Sequence, residues 1–146
     1  MTPLDLLLAH AAATWALVGL IWIVQLVQYP GFARVGPREL GEFHEHHSAR
    51  ITLVVGPLMA VEGLSAALLL ETPPAGVSTE LLWAGLGLVG LNALATAFVA
   101  VPLHRRLRPG AIAVQRRLVR TNWIRTVAWT ARGVLVLEAL RQFHGG

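Results

Sequence analysis

The sequence contains no cysteine and no lysine. The first absence excludes disulfides and thiolate-ligated metal sites, and it leaves the redox compartment unmarked. Charge is scarce as well: 14% of the 146 residues are charged and 55% are hydrophobic, where a soluble domain carries roughly 25% charged residues. A water-soluble core of this length cannot bury so much apolar surface. Strand-like alternation, low-complexity tracts and a separable soluble domain are all missing. The start "MTPLDLLLAH" lacks a basic region, and the apolar run behind it outlasts a signal-peptide core. That run is expected to stay in the mature chain.

Four apolar stretches are present, at residues 4–29, 51–70, 81–103 and 123–140. Each approaches the roughly 20 residues needed to cross a bilayer. Backbone amides in lipid must be satisfied within their own segment, so these spans should be helices. The expected fold is all-α: a single integral membrane domain over residues 1–146, built as an up-down-up-down four-helix bundle. The turn "TPPAG" between spans two and three is short enough to force antiparallel neighbours.

Arginine alone sets the orientation. Arg34, Arg38 and Arg50 fall in the connection 30–50, and Arg105, Arg106, Arg108, Arg116, Arg117 and Arg120 in the connection 104–122. The turn between spans two and three has no basic residue. The positive-inside rule puts both arginine-rich connections in the cytoplasm and both termini outside. These arginines flank membrane spans without an aromatic stacking platform, which argues against a nucleic-acid partner. They are expected to anchor the loop to anionic lipid.

Local signals mark the helices. "YPG" at Tyr29 to Gly31 is expected to end span one, because proline disfavours helix in the residue before it. In span three, Gly90, Ala93, Ala97 and Ala100 form a small-residue stripe at helical spacing, which suits close packing on another helix.

Polar residues inside the spans should face the bundle interior. His10 and Gln28 are eighteen positions apart and share a face with Thr14 and Gln25 nearby. His44 and Glu62 have the same spacing but lie roughly 27 Å apart along a straight helix, too far to bind one ion. Counting inward from the outer turn puts Glu62, Asn92 and Arg132 near mid-membrane, with Glu62 and Arg132 as charge partners. His10 and Glu138, near outer ends, are expected to reach headgroups.

"FHEHHSARI", Phe43 to Ile51, gathers three histidines ahead of span two. His44 and His47 can share a face, whereas His46 lies about 100° from His47 and is expected to face solvent or headgroups. His104 reaches the same depth on span three. In "RTNWIRTVAWTARG", Asn122, Arg125, Trp129 and Arg132 repeat at three- and four-residue spacing. Together with Gln25, Gln28, Tyr29 and Asn92 they outline a polar pocket that opens toward the cytoplasm.

"WIVQLVQYPGF", "VGPLMAVE", "VPLHRRL" and "LVRTNWIRTVAWTARG" together resemble a group of small bacterial four-helix integral membrane proteins, over nearly the whole chain. More distantly they resemble the membrane family that contains fungal anthrone oxygenases, through a V-P motif after span three and a tryptophan-arginine motif opening span four. The first resemblance implies a multi-pass protein of the bacterial inner membrane. The second implies oxidation of a lipophilic, aromatic or quinone-like molecule.

Two function classes follow. As an oxidoreductase or oxygenase, the protein would use His44, His47 and His104 to hold a metal or to act as acid and base, with Asn122 and Arg125 orienting an oxyanion. Three imidazoles suit iron, copper and zinc alike, so the cofactor stays unassigned. As a non-enzyme, it would be a small-molecule or proton-linked carrier, or a structural subunit, with Glu62 and Arg132 as a proton-linked or purely structural pair. The four spans show no internal repeat, so a carrier would need a homo-oligomer to supply its missing half.

Overall fold

The computed structural model describes residues 2–36, 38–107 and 110–145, so Arg108 of the second arginine-rich connection lies outside the described residues. Four helices, α1 (Pro3–Arg34), α2 (Leu40–Glu71), α3 (Thr79–Arg106) and α4 (Ile112–Gly145), account for the chain, and no strand occurs among the described residues. The first three are long and apolar enough to cross a membrane. α4 is longer still at 34 residues, but Arg125, Arg132 and Glu138 fall within its apolar stretch.

Helix starts follow their capping chemistry. Thr2 and Asp5 form a reciprocal capping box ahead of α1, with Pro3 in the first turn, and the Ser78 hydroxyl accepts from the Leu81 amide at the start of α3. Each arrangement satisfies amides that have no partner inside the helix. Gly76 turns the chain between α2 and α3 at φ 81°, a conformation glycine adopts without strain.

α1 packs on α2 and α4, and α3 packs on the same two, which closes an antiparallel four-helix ring. The α1–α4 contact is close: a Cβ at Gly133 would lie 3.3 Å from both Trp15 and Val18. Most of the small-residue stripe does not serve packing within the bundle: Ala93 and Ala97 are exposed, Gly90 is half-buried and only Ala100 is buried, while α3 turns Leu82, Gly85, Asn92 and Ala95 inward.

The helices run well past the apolar spans, so connections expected over 30–50 and 104–122 are largely helical. α1 does not end at "YPG" but continues to Arg34. It does so through a π-helical turn at Val24–Gln28, in which the Tyr29 amide reaches back five residues to the Val24 carbonyl. α3 repeats the device at Thr96–Ala100, where the Val101 amide reaches the Thr96 carbonyl. In both helices a proline follows one residue later, Pro30 and Pro102. A proline ring has no N–H and clashes with the carbonyl four residues back. Each widened turn lies where that conflict falls and lets the helix pass it.

Two apolar clusters fill the interior. One, at the arginine-rich end, includes Leu17, Ile21, Val24, Tyr29, Phe32, Leu103, Leu118 and Trp129. The other, at the opposite end, joins Leu6, Leu7, Leu69, Val77, Leu82 and Ala139. Between them lies a polar layer built from His10, Thr14, Glu62, Ser65 and Arg132, all buried.

Candidate functional site

The histidines meet at the arginine-rich end. His44 Nε2 and His104 Nδ1 are 2.7 Å apart, with the rings edge to edge, their planes within 19° and their centroids 5.1 Å apart. His104 Nε2 lies 2.9 Å from the Tyr29 hydroxyl, and the Ser48 hydroxyl lies 3.3 Å from His44 Nε2. Tyr29 and His104 each follow a π turn in their own helix. Such turns add a residue and so re-aim whatever comes after them.

His47 does not join this pair. Its ring packs edge-on against Phe32 at 5.5 Å, and Phe32 also meets His44 at 5.6 Å. Phe32 is almost fully buried and contacts both histidine rings. His46 is exposed. The expected three-histidine metal site is therefore not formed by these side chains. Two nitrogens on one zinc in tetrahedral geometry would stand about 3.3 Å apart and both point at the ion. His44 Nε2 and His104 Nδ1 point at each other. No group of three His, Asp or Glu side chains suited to a metal occurs among the described residues.

His44 and His47 lie outside the apolar stretch 51–70, and half-burial holds both imidazoles below the ordinary histidine range. For His44 the cause is desolvation; for His47 it is desolvation first and the neighbouring His44 second. The sign follows directly: below the ordinary imidazole range the unfolded chain binds protons that the folded chain holds off, so acidification destabilises this end. The protection factors of amides 43–48, taken against the intrinsic base-catalysed exchange rate at each pH, are expected to fall as the pH falls through that range. Unchanged or larger protection factors would contradict it.

A cavity of about 220 Å³ opens inside this end, bounded by Tyr29 and Ile21 of α1, His47 and Met59 of α2, Thr96 and His104 of α3, and Arg125 of α4. A wider groove of about 620 Å³ lies outside it between α2 and α3, lined by His44, Ser48, His104 and Arg105 among others. His104 lines both spaces, and His44 lines the groove. The imidazole pair therefore stands in the wall between them.

Arg125 and its neighbours close the α4 side. The Arg125 guanidinium lies 5.2 Å from the Trp129 ring centre and donates to Asn122 Oδ1 at 3.2 Å. Asn122 in turn donates to Gln25 Oε1 at 2.9 Å, and Gln25 donates to the Val119 carbonyl at 3.2 Å. Of the residues expected to form a pocket, Tyr29 and Arg125 line the cavity. Gln25, Asn92 and Trp129 are buried in the bundle, and neither side-chain polar atom of Asn92 has a partner. Gln28 is only half-buried, because the π turn rotates it off the face it would share with His10 in a regular helix.

The mid-bundle layer gathers around Glu62. Its carboxylate accepts from Thr14 Oγ1 at 2.9 Å and from Trp129 Nε1 at 3.0 Å, and lies 3.8 Å from Arg132 Nε. Arg132 also meets His10 Nε2, and His10 Nδ1 lies 2.6 Å from the Ser65 hydroxyl. The Ser65 hydroxyl is spent on the Val61 carbonyl at 2.6 Å, so it accepts from His10 and fixes a neutral imidazole with its proton on Nδ1. His10 is thus 1% exposed rather than at headgroup level. Glu138 instead sits in a half-exposed pair with Arg141 at 2.7 Å. The guanidinium of Arg132 occupies the place a side chain at Gly85 would take.

No family model, curated protein or solved structure matches the chain.

Proposed function

We propose that the chain is a multi-pass protein of the bacterial inner membrane that holds a small lipophilic molecule in the cavity. It exchanges protons with that molecule through Tyr29, His104 and His44. The observation that carries this reading is the unbroken hydrogen-bonded sequence from the cavity wall to the outer groove. Each of these groups can donate and accept, so one concerted shift moves a proton along the row in either direction. A cavity of about 220 Å³ is smaller than the roughly 300–1,000 Å³ of drug-sized pockets. It suits a one-ring head whose remainder extends into lipid.

The sequence resemblance favours an aromatic or quinone-like molecule, and this geometry suits the proton side of such chemistry. Converting a quinol to a quinone releases two protons and two electrons. Tyr29 and the imidazoles handle protons, and an external acceptor such as dioxygen takes the electrons. A non-catalytic reading, as a carrier or a structural subunit, draws support from the Glu62 layer, which pairs its charges away from the cavity.

The test uses the full chain in nanodiscs with ¹⁵N-labelled histidine. Duroquinone is expected to shift the His104 resonances saturably. The cavity-filling substitution Ala100→Phe should abolish that shift while leaving the shared His44–His104 proton signal in place. Insensitivity to duroquinone, or an equal shift in Ala100→Phe, would refute the reading.

Orientation is tested separately. With the arginine-rich connections in the cytoplasm, a C-terminal alkaline phosphatase fusion should be active and a C-terminal green fluorescent protein fusion dark. The reverse pattern would invert the topology.

A further inference from the structure

Among the described residues, the interior holds two buried arginines and a single buried carboxylate. Of the eight Asp and Glu residues, only Glu62 is buried, and it lies beside Arg132. Arg125 is 7% exposed and pairs with no carboxylate among the described residues. Its neighbours are neutral: Asn122 Oδ1, the Trp129 ring and the Tyr29 hydroxyl, and its Nε has no partner. A buried charge without a counter-ion is costly, and neutral hydrogen bonds offset only part of that cost. Arg125 also lines the cavity, whose other walls are mainly aliphatic.

The geometry points to a lipophilic monoanion as the occupant of this cavity, a carboxylate or phenolate on a small apolar body, with Arg125 as its counter-ion. This deepens the proposed function and rests on it for the route of the proton. A neutral acid entering from lipid breaks its O–H bond at the cavity wall. Its proton passes to the Tyr29 oxygen as the Tyr29 proton moves to His104 Nε2 and the His104 Nδ1 proton moves to His44 Nε2. His44 then carries the extra proton at the groove, the conjugate base stays on Arg125, and no electrons change hands. The reverse sequence returns the neutral acid to the membrane. A guanidinium suits this task because it stays charged when buried and presents several donors to one oxyanion.

The experiment compares 4-butylbenzoate with its neutral isostere 4-butylbenzamide, by equilibrium dialysis against the full chain in phosphatidylcholine nanodiscs. The wild type is expected to bind the anion at least about tenfold more tightly than the amide. Arg125→Gln should erase that preference, and Arg125→Lys should keep part of it. Arg125→Gln should also unfold no more readily than the wild type in the absence of ligand, because it removes an uncompensated charge. A purely structural Arg125 would instead destabilise the bundle when replaced. Equal affinity for the two probes, no saturable anion binding, or a preference that survives in Arg125→Gln would each overturn the proposal. Benzoate added as its anion binds without using the proton route, so dialysis reads the anion site alone while the duroquinone titration of His104 reads the route, and the two failures are told apart. Phosphatidylglycerol nanodiscs distinguish the source of the anion: lost benzoate binding assigns it to a lipid headgroup, retained binding to a free acid.

Discussion

Glu62→Ala is expected to be among the most damaging single substitutions in this chain, costing about 3 to 5 kcal/mol. The carboxylate is 1% exposed, and three groups converge on it from two other helices: the Thr14 hydroxyl, the Trp129 indole N–H and the Arg132 guanidinium. Removing it strands a second buried cation and two buried donors at once. Arg132→Met alone should cost a comparable amount, since it leaves the carboxylate charged and buried. Combining the two should cost clearly less than their sum, because the double variant buries neither charge. Unfolding of the four proteins in detergent, followed by circular dichroism, checks this. Strict additivity would show that Glu62 and Arg132 do not depend on each other.

Trp129→Ala should cost a similar amount, about 3 to 5 kcal/mol, by removal of a fully buried indole. Its ring belongs to the apolar cluster at the arginine-rich end, while its N–H reaches Glu62 in the mid-bundle layer. Trp129→Phe separates the two roles: most of the ring volume stays, one carboxylate oxygen loses its donor, and the cost falls to about 1 to 3 kcal/mol. The indole also carries the Arg125 guanidinium on its face, so Trp129→Ala should weaken benzoate binding more than Trp129→Phe does. Equal stability of the Phe and Ala variants would show that packing contributes nothing at this position.

Much of this architecture was legible in the residues. Long apolar runs have one solution in lipid, so four helices and their order followed from hydropathy. Depth counting from the turn between α2 and α3 put Glu62 level with Arg132, and His44 and His104 at the same end, because antiparallel neighbours keep register from a short turn. Rotation about each helix axis was less accessible. Regular 3.6-residue periodicity placed Gln28 on the His10 face, and the π turn at Val24–Gln28 moves it away. The stripe through Ala93 and Ala97 had helical spacing, but spacing does not say which side of a helix faces its neighbours. His10 looked close enough to the chain start to reach headgroups, and only Ser65 and Arg132, 55 and 122 positions away, explain its burial. Phe32 had no polar chemistry to single it out, yet its ring packs against both His44 and His47.

The paired π turns make this protein sensitive to a kind of change that side-chain substitution does not reach. Each widened turn is a helix carrying one residue in surplus, so deleting Val27, an exposed position of α1, is compatible with an ordinary α-helical count. The composition of the lipid-facing surface would barely alter, and hydropathy would still describe a good membrane span. The residues beyond the deletion would keep their facing, because the widened turn absorbs the surplus residue, but Pro30 would then stand against an unwidened turn, where its ring clashes with the carbonyl four residues back. Chain length in these two short segments is therefore constrained by the proline that follows each, and single-residue deletions there should kink the helix beneath the site while the helices still insert.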